Sequence, residues 1–175
     1  AEILSAFKDM ETRIRSMALV HQKLYQSEDL SNISLSEYIK ELSDLMMKSY
    51  SIARDLIGIE LSVEEIKISI DVAIPCGLII NELFSNSFKY AFQERKRGFI
   101  KLSVTLSEGR KINLNYSDDG VGLPEGFDFR RDGKMGIKSL VSIVENQLQG
   151  DISIKSQNGF DCALSFKDTL YKARI

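Results

Sequence analysis

The spacing of apolar residues changes at Gly58, and this change limits the folds that the sequence can adopt. Before Gly58 the apolar residues recur every three or four positions, as in helices with one buried face. After Gly58 there are also runs in which they alternate with polar residues, as in strands that bury one face. The sequence therefore predicts a helical N-terminal part followed by a domain built on a sheet.

Two helices are predicted before Gly58. The first carries a seam at alternating steps of four and three, which requires a partner helix: Ile3, Phe7, Met10, Ile14, Met17, His21 and Leu24. The second begins with a capping box of Ser34 and Glu37, flanked by Ile33 and Tyr38 as a hydrophobic staple. Its apolar face continues through Leu42, Leu45, Met46 and Ala53. Gly58 is the predicted stop.

Two hairpins are predicted in the last part of the chain. One turn lies at Glu108-Gly109 and the other at Asn158-Gly159, and Asn-Gly is the strongest short hairpin signal. The alternating runs that these turns join are 100–106 with 112–116, and 152–154 with 160–166.

Further strands and helices complete the predicted fold. Alternating runs predict strands at 59–63 and 66–70, Pro75 predicts the first turn of a helix, and the apolar pattern of 138–149 predicts another helix. The fold class is therefore α+β. We expect a two-layer α/β sandwich in which a mixed, mainly antiparallel sheet is covered by helices on one face and preceded by two helices.

Composition narrows the possible functions. A chain of 175 residues with 43% apolar content can bury one core, and a net charge of -2 argues against nucleic acid as a partner. The one dense basic run, 95–97, is short enough to be a solvated turn. Cys76 and Cys162 fit no metal or redox spacing and are expected to be reduced and buried. No segment has the ~20 apolar residues of a membrane span, so no membrane contact is expected.

The helix after Pro75 carries a chemically mixed polar stripe. At about 100° per residue, Glu82, Asn86 and Lys89 share this stripe with Ser85 and Gln93, while apolar residues occupy the other side. Oxygen ligands suit a hard cation and an ammonium can neutralise phosphate, so the stripe could hold Mg-triphosphate. Taken alone, it is equally typical of an amphipathic surface helix.

Two glycine-containing segments follow at ends of predicted elements. Asp118-Asp119-Gly120-Val121-Gly122 ends a strand, where a carboxylate can accept a hydrogen bond from an exocyclic amine and glycines admit a planar ligand. Gly133-Lys134-Met135-Gly136 opens a helix, whose free amides could cradle phosphate. Between them, 123–132 would form a lid. Each segment alone is also explained as an acidic turn or a plain glycine loop.

These three segments, in this order, resemble the N box, G1 box and G2 box of the ATPase fold shared by gyrase, heat-shock chaperones, histidine kinases and mismatch-repair proteins. The N box would be Asn81 to Tyr90. The leader Arg13-Ile14-Arg15-Ser16-Met17-Ala18-Leu19-Val20-His21-Gln22-Lys23-Leu24-Tyr25 and Ser36-Glu37-Tyr38-Ile39 resemble the segment before the ATPase domain in sensor histidine kinases related to the HWE kinases.

The resemblance implies a role for each matching residue. Asn86 would bind Mg²⁺, Glu82 would help to order the metal or the reacting groups, and Lys89 would contact phosphate. Asp118 would bind the adenine amine and Tyr90 would flank the base. The remaining residues of the expected ATP site are Asn81, Gly120, Gly122, Gly133, Met135 and Gly136.

The resemblance also implies the domains and partners. Residues 1–54 would be a partial helical dimerisation region, and residues 55–175 the ATP-binding catalytic domain. The expected function is transfer of the ATP γ-phosphoryl group to a His outside this chain and then to an Asp of a response regulator receiver domain. A homodimer through the N-terminal helices and a cytoplasmic location are expected, the chain being either cytoplasmic itself or the cytoplasmic part of a membrane-attached sensor.

The chain departs from the family in ways that leave alternatives open. The family's acceptor-His motif is absent, so the chain is not expected to phosphorylate itself alone, and His21 matches a segment that is not the acceptor. Gly159-Phe160 replaces a usual Gly-Thr pair, and no separate phenylalanine-rich box is evident. The alternatives are an ATP-binding regulatory switch, a serine kinase of the anti-sigma type, or a binding protein that takes no nucleotide.

Overall fold

Four helices and seven strands form the described part of the chain. The computed structural model describes residues 2–26, 33–53, 55–92, 97–156 and 158–168. In chain order the elements are α1 (Glu2–Gln26), β1 (Ile33–Ser34), α2 (Leu35–Ser49), β2 (Ile57–Val63), β3 (Lys67–Ile68), α3 (Ile70–Asn86), β4 (Gly98–Ser107), β5 (Lys111–Asp118), α4 (Met135–Ser142), β6 (Asp151–Lys155) and β7 (Phe160–Lys167). A π-helical turn continues α3 over Ser87–Ala91, and another continues α4 over Ile143–Gln147.

The sheet confirms the predicted fold class. Its five strands have the order β2-β4-β5-β7-β6, in which β2 and β4 are parallel and the other pairs antiparallel. Both predicted hairpins are present, as β4 with β5 and β6 with β7. At the first turn Gly109 and Arg110 have φ angles of 68° and 58°. Glycine adopts such a left-handed angle most readily, which favours Gly109 at this tight turn, while Arg110 adopts a similar angle despite its side chain.

One face of the sheet is buried beneath the helices. Alternate residues of the two central strands point into the core, namely Ile100, Leu102 and Val104 of β4 and Ile112, Leu114 and Tyr116 of β5. Ile79, Ile80, Leu83 and Phe84 of α3 belong to the same cluster of buried residues. Because α3 is anchored in this core, its end and the end of β5 are held in a fixed relation.

The first helix has two faces of different character. Thr12, Ser16 and Val20 are buried on the side of α1 that packs against α3. The predicted seam lies on another side: Phe7, Met10, Ile14 and Met17 are exposed, by 67%, 60%, 60% and 38%, and His21 is exposed as well. The side chains of Ile3 and Leu24 lie outside the described residues. Within the described chain the seam is therefore an uncovered apolar stripe.

Tyr38 of the second helix, α2, contacts both α1 and α3. Ser34 caps α2 by accepting a hydrogen bond from the Glu37 N–H at 3.4 Å, as the capping box predicted. Tyr38 is fully buried, and its hydroxyl donates to the Ser16 carbonyl of α1 at 3.4 Å. A Cβ on Gly77 of α3 would lie 1.8 Å from the same hydroxyl. Only glycine therefore leaves room for this three-helix contact.

Some predicted boundaries are wrong. Pro75 does not open α3; the helix starts at Ile70, because the Ser69 carbonyl accepts the N–H groups of Val72 and Ala73 at 3.1 and 2.9 Å and both residues are buried. Consequently the predicted strand 66–70 shrinks to β3, which pairs with β1.

The predicted extent of α2 is also wrong. The helix ends at Ser49, before Ala53, and Ser51 has a φ of 54°. Gly58 is not the stop but lies within β2, where a Cβ would come within 2.7 Å of the Phe99 ring. The predicted helix 138–149 begins earlier, at Met135.

Other predictions concern single residues. Cys76 and Cys162 are free and buried as predicted, and burial raises the pKa of each thiol to about 12. In the basic run only Arg97 falls among the described residues. Among the helices described, none has the length and apolar character needed to cross a membrane.

Candidate functional site

A cavity of about 570 Å³ lies between the end of α3, the end of β5 and the start of α4. Eight of the predicted site residues line it: Glu82, Asn86, Lys89, Tyr90, Asp118, Gly122, Met135 and Gly136. Three do not. Asn81 is buried within α3, and its Oδ1 has no hydrogen-bond partner among the described residues. Gly120 packs on Ala91, and Gly133 packs on Phe129 and Ile137.

Asp118 is the buried carboxylate of this cavity. Its Oδ2 accepts a short hydrogen bond from the Ser87 hydroxyl, and its Oδ1 accepts one from the Gly120 N–H at 3.0 Å. Burial raises the pKa of Asp118, while the bonds from Ser87 and from the Gly120 and Phe160 amides act in the opposite direction. Because these donors favour the charged form, Asp118 can serve as a hydrogen-bond acceptor toward the cavity.

A buried tyrosine supports the Ser87 hydroxyl. Since the one proton of Ser87 goes to Asp118, the Tyr116 hydroxyl donates to Ser87 Oγ, at 2.7 Å. Tyr116 also lies 3.3 Å from the Leu83 carbonyl, and its ring packs edge-on against Phe84. Burial raises the pKa of Tyr116 well above its usual value, so this hydroxyl stays protonated. The chain of bonds fixes the Asp118 carboxylate in one orientation.

The loop after β5 is held on both sides. A Cβ on Gly120 would lie 2.3 Å from the Ala91 Cβ, and the Val121 N–H donates to the Ala91 carbonyl at 3.1 Å. On the other side, Ser156 accepts from the Leu123 N–H at 2.6 Å and donates to the Gly159 carbonyl at 2.8 Å. The loop therefore spans from the end of the π-helical turn to the β6–β7 hairpin.

At the end of the cavity next to α4, two side-chain oxygens face the backbone of this helix. A Cβ on Gly136 would lie 2.7 Å from Glu82 Oε2 and 3.7 Å from Asn86 Oδ1. Glu82 and Asn86 are one helical turn apart, so a carboxylate and a carboxamide present oxygens to one place. This donor set suits a hard divalent cation such as Mg²⁺. The described residues contain no cluster of three or more His, Cys, Asp or Glu that would hold a metal alone.

An arginine from α1 also reaches this end. Arg13 forms an ion pair with Glu82, in which its side chain is 36% exposed and that of Glu82 only 9%. A second cavity, of about 690 Å³, lies on the other side of this pair between α1, α3 and α4. Arg13 and Glu82 line both cavities, so the ion pair forms part of the boundary between them.

The segment 123–132 borders the cavity through Leu123, Pro124, Phe127 and Asp132. Within it, Asp128 Oδ1 accepts from the N–H groups of Arg130 and Arg131 at 2.8 and 3.2 Å. The Arg130 guanidinium bonds Glu145 at 2.6 Å, which ties the segment to the turn after α4. This is the position of the predicted lid.

Comparison with known proteins gives matches by sequence and by structure. A profile described as histidine kinase matches residues 1–50. Blue-light-activated histidine kinase 2 of Erythrobacter litoralis (strain HTCC2594) is 23% identical over 149 residues, which are 81% of this chain and 41% of that protein. Sensor histidine kinase PdtaS of Mycobacterium tuberculosis (strain CDC 1551 / Oshkosh) is 28% identical over 171 residues, 94% of this chain and 33% of that protein. The chain is therefore similar in sequence to histidine kinases over most of its length.

A solved structure has a similar fold. The histidine kinase domain of a blue-light-activated histidine kinase from Erythrobacter litoralis matches with a TM-score of 0.82 at 19% identity, covering 94% of this chain and 76% of that one. The present chain spans between one third and about two fifths of the length of the two curated relatives.

Three contributions to the site are not predicted by the sequence analysis. Arg13 falls within the leader, and the signal for its position is that it adjoins Thr12, which with Ser16 and Val20 forms the buried stripe of α1. The Ser87–Tyr116 support of Asp118 and the Ser156 bridge join residues distant in sequence. No local pattern indicates such bonds.

Proposed function

We propose that the cavity binds ATP and that the chain is the ATP-binding catalytic portion of a two-component sensor histidine kinase. One observation carries the proposal. A buried carboxylate, Asp118, and the oxygen pair of Glu82 and Asn86 line the same cavity. A nucleoside triphosphate has the matching chemistry, with an exocyclic amine at one end and metal-bound phosphates at the other.

The end at Asp118 would read the adenine base. Its carboxylate accepts hydrogen bonds, and the neighbouring loop with Gly120 and Gly122 brings backbone close to the cavity. Gly122 has a φ of 70°, which a residue with a side chain rarely adopts. Tyr90, 55% exposed on the cavity wall, would flank the base. Phe160, the residue where the family has Thr, lines the same cavity and would add apolar contact.

The end at Glu82 and Asn86 would hold Mg²⁺ and phosphate. Bound Mg²⁺ would neutralise phosphate charge, with Asn86 as its ligand and Glu82 ordering the metal or the reacting groups. Lys89 lines the cavity and would contact phosphate, and Gly136 keeps α4 close to these side chains. Met135 and Gly133 would shape the segment that follows the lid. We assign no direct contact to Asn81, which lies outside the cavity lining.

The acceptor of the γ-phosphoryl group would be a His outside this chain, followed by an Asp of a response regulator receiver domain. His21 is the single His of the sequence, and it is exposed on the seam of α1. In such a transfer the site contributes positioning and charge neutralisation rather than a nucleophile of its own. The chain supplies groups for both tasks, and would act where ATP is available, in the cytoplasm.

The two parts of the chain would have different functions. Residues 1–54 would form the dimerisation part, and residues 55–175 the catalytic part. The apolar stripe Phe7, Met10, Ile14 and Met17 on α1 supports a homodimer through the N-terminal helices, because its spacing is that of a two-helix seam and it is exposed. The second copy would cover it.

Calorimetry of ATP binding with and without Mg²⁺ tests the proposal. Asp118→Asn keeps the shape of the side chain but removes its charge, and we expect ATP affinity to fall by at least about 100-fold, or ~2.7 kcal/mol. Asp161→Asn is the matched control, since Asp161 is exposed on β7. Unchanged affinity in Asp118→Asn would remove the adenine assignment. Asn86→Ala should abolish the Mg²⁺ dependence; if that dependence persists, the metal assignment fails.

A further inference from the structure

Arg13 is a cation that enters the cavity from outside the sheet domain. It lies on α1, one position after the buried Thr12, and its guanidinium reaches Glu82 of α3. Its Nη2 makes this ion pair. A guanidinium carries five N–H donors in a planar fork, enough to bind a carboxylate and a phosphate oxygen together.

The charge of the cavity lining depends on Arg13. Among the described residues, three cations line it, Arg13, Lys89 and Lys134, against three carboxylates, Glu82, Asp118 and Asp132. Without Arg13 two of these cations would face three carboxylates. A lining with excess negative charge repels a polyphosphate, so this arginine makes the phosphate end more favourable to an anion.

Arg13 and Asp118 contact different turns of α3 and its continuation. The Ser87 hydroxyl that bonds Asp118 and the carboxylate that bonds Arg13 belong to residues five positions apart. At about 1.5 Å per residue, this separates them by roughly 7 Å along the helix axis. A nucleotide with its base at Asp118 and its metal-bound phosphates at Glu82 and Asn86 would therefore present phosphate, not its base, to Arg13.

We propose that Arg13 is a nucleotide-binding residue that α1 supplies to the site, where it binds the distal phosphates beside Glu82. The inference rests on the proposed ATP-binding function. It makes the phosphate end a joint site of the helical part and the catalytic part, so that affinity for the triphosphate depends on α1 lying against α3.

The first test compares ligands that share a base but differ in phosphates. For Arg13→Gln we expect ATP affinity to fall about tenfold or more in calorimetry, ADP affinity to fall as well, and adenosine affinity to stay unchanged. Arg13→Lys should recover part of the loss, because charge is kept while the fork is lost. Arg15→Gln is the matched control on the same helix, since Arg15 is exposed, pairs with Glu11 and lines neither cavity.

The second test separates a direct phosphate contact from an effect through Glu82. In a Glu82→Gln background the ion pair is already broken. If Arg13 acts only by positioning Glu82, replacing it in this background will not change ATP affinity. We expect Arg13→Gln to weaken ATP binding in this background too, again by about tenfold. Thermal denaturation of each variant with and without adenosine shows that the fold and the base site persist.

The outcomes decide between the proposals. ATP binding that is unaltered in Arg13→Gln, an equal loss for ATP and adenosine, or no effect in the Glu82→Gln background would each overturn the role of Arg13 while leaving ATP binding in place. A wild-type chain that binds neither ATP nor adenosine would refute the proposed function itself, and the role of Arg13 with it.

Discussion

Replacing Ser87 by Ala removes the hydroxyl that joins Asp118 to Tyr116. The buried carboxylate then loses its closest donor, while its bond from the Gly120 N–H remains. Tyr116 loses its partner at 2.7 Å but keeps the Leu83 carbonyl at 3.3 Å. The change is small in volume, so its effect reports on hydrogen bonding rather than on packing.

The magnitude follows from the charge on the acceptor. A hydrogen bond to a charged group contributes about 1.5–3 kcal/mol to the free energy of unfolding. Most of this contribution is lost when the bond is removed, because the buried carboxylate cannot replace the donor with water. We therefore expect Ser87→Ala to lower the free energy of unfolding by about 2 kcal/mol. For a chain of this size, one kcal/mol corresponds to roughly 2–4 °C in Tm, so the expected decrease is about 4–8 °C.

The same change should alter the pH dependence of adenosine binding. Burial already raises the pKa of Asp118, and the Ser87 bond lowers it, so Ser87→Ala raises the pKa further. A carboxyl group whose folded pKa lies above its unfolded pKa favours the native state at low pH and loses this contribution as pH rises through the folded pKa. The affinity for adenosine depends on pH in the opposite sense. Binding needs the charged carboxylate, so the affinity falls as pH decreases, and in Ser87→Ala this decrease begins at a higher pH.

Calorimetric unfolding and an NMR titration with adenosine from pH 5 to 8 measure both effects. Ser153→Ala is the control, because Ser153 is exposed on β6. A Tm equal to that of the control, together with binding curves that superimpose on wild type at every pH, would show that Ser87 does not support Asp118 and would refute this account.

Three further changes test other contacts. Gly136→Ala places a Cβ 2.7 Å from Glu82 Oε2, so calorimetry should show ATP affinity reduced by at least about tenfold with little change in Tm. Gly77→Ala places a Cβ 1.8 Å from the Tyr38 hydroxyl, and such overpacking should cost about 1–3 kcal/mol in chemical denaturation. Ile14→Glu puts a charge in the exposed stripe of α1, and light scattering should show a monomer, whereas we expect a dimer for the wild type.

Short sequence patterns correctly predicted the hairpins and the start of α2, because these features depend on residues close together in the chain. Both hairpins were predicted because turn residues and alternation act over a few positions. The start of α2 was predicted because Ser34 bonds a backbone N–H three residues away. Likewise, most of the residues expected at the site line one cavity, since each of its three segments ends or begins an element of the core.

Tertiary contacts decided the parts that sequence did not predict. Pro75 within α3 is tolerated, at a cost of about 3 kcal/mol for a helix interior, because Val72, Ala73 and the following turns are buried. The two-residue strands β1 and β3 exist only through their pairing. Arg13 reaches Glu82 across 69 positions of sequence, a contact that only the packing of α1 on α3 creates.

The π-helical turn Ser87–Ala91 affects how positions can be transferred from other proteins. Such a turn encloses one residue more than an α-helical turn. Because the turn takes up the extra residue, a helix with one residue fewer and ordinary α-helical winding would bring the chain to the same place at its end. An ungapped alignment with a protein that lacks the turn is therefore out of register by one residue on one side of it, and Lys89 and Tyr90 must be compared with such a protein only after a one-residue gap is placed in the turn.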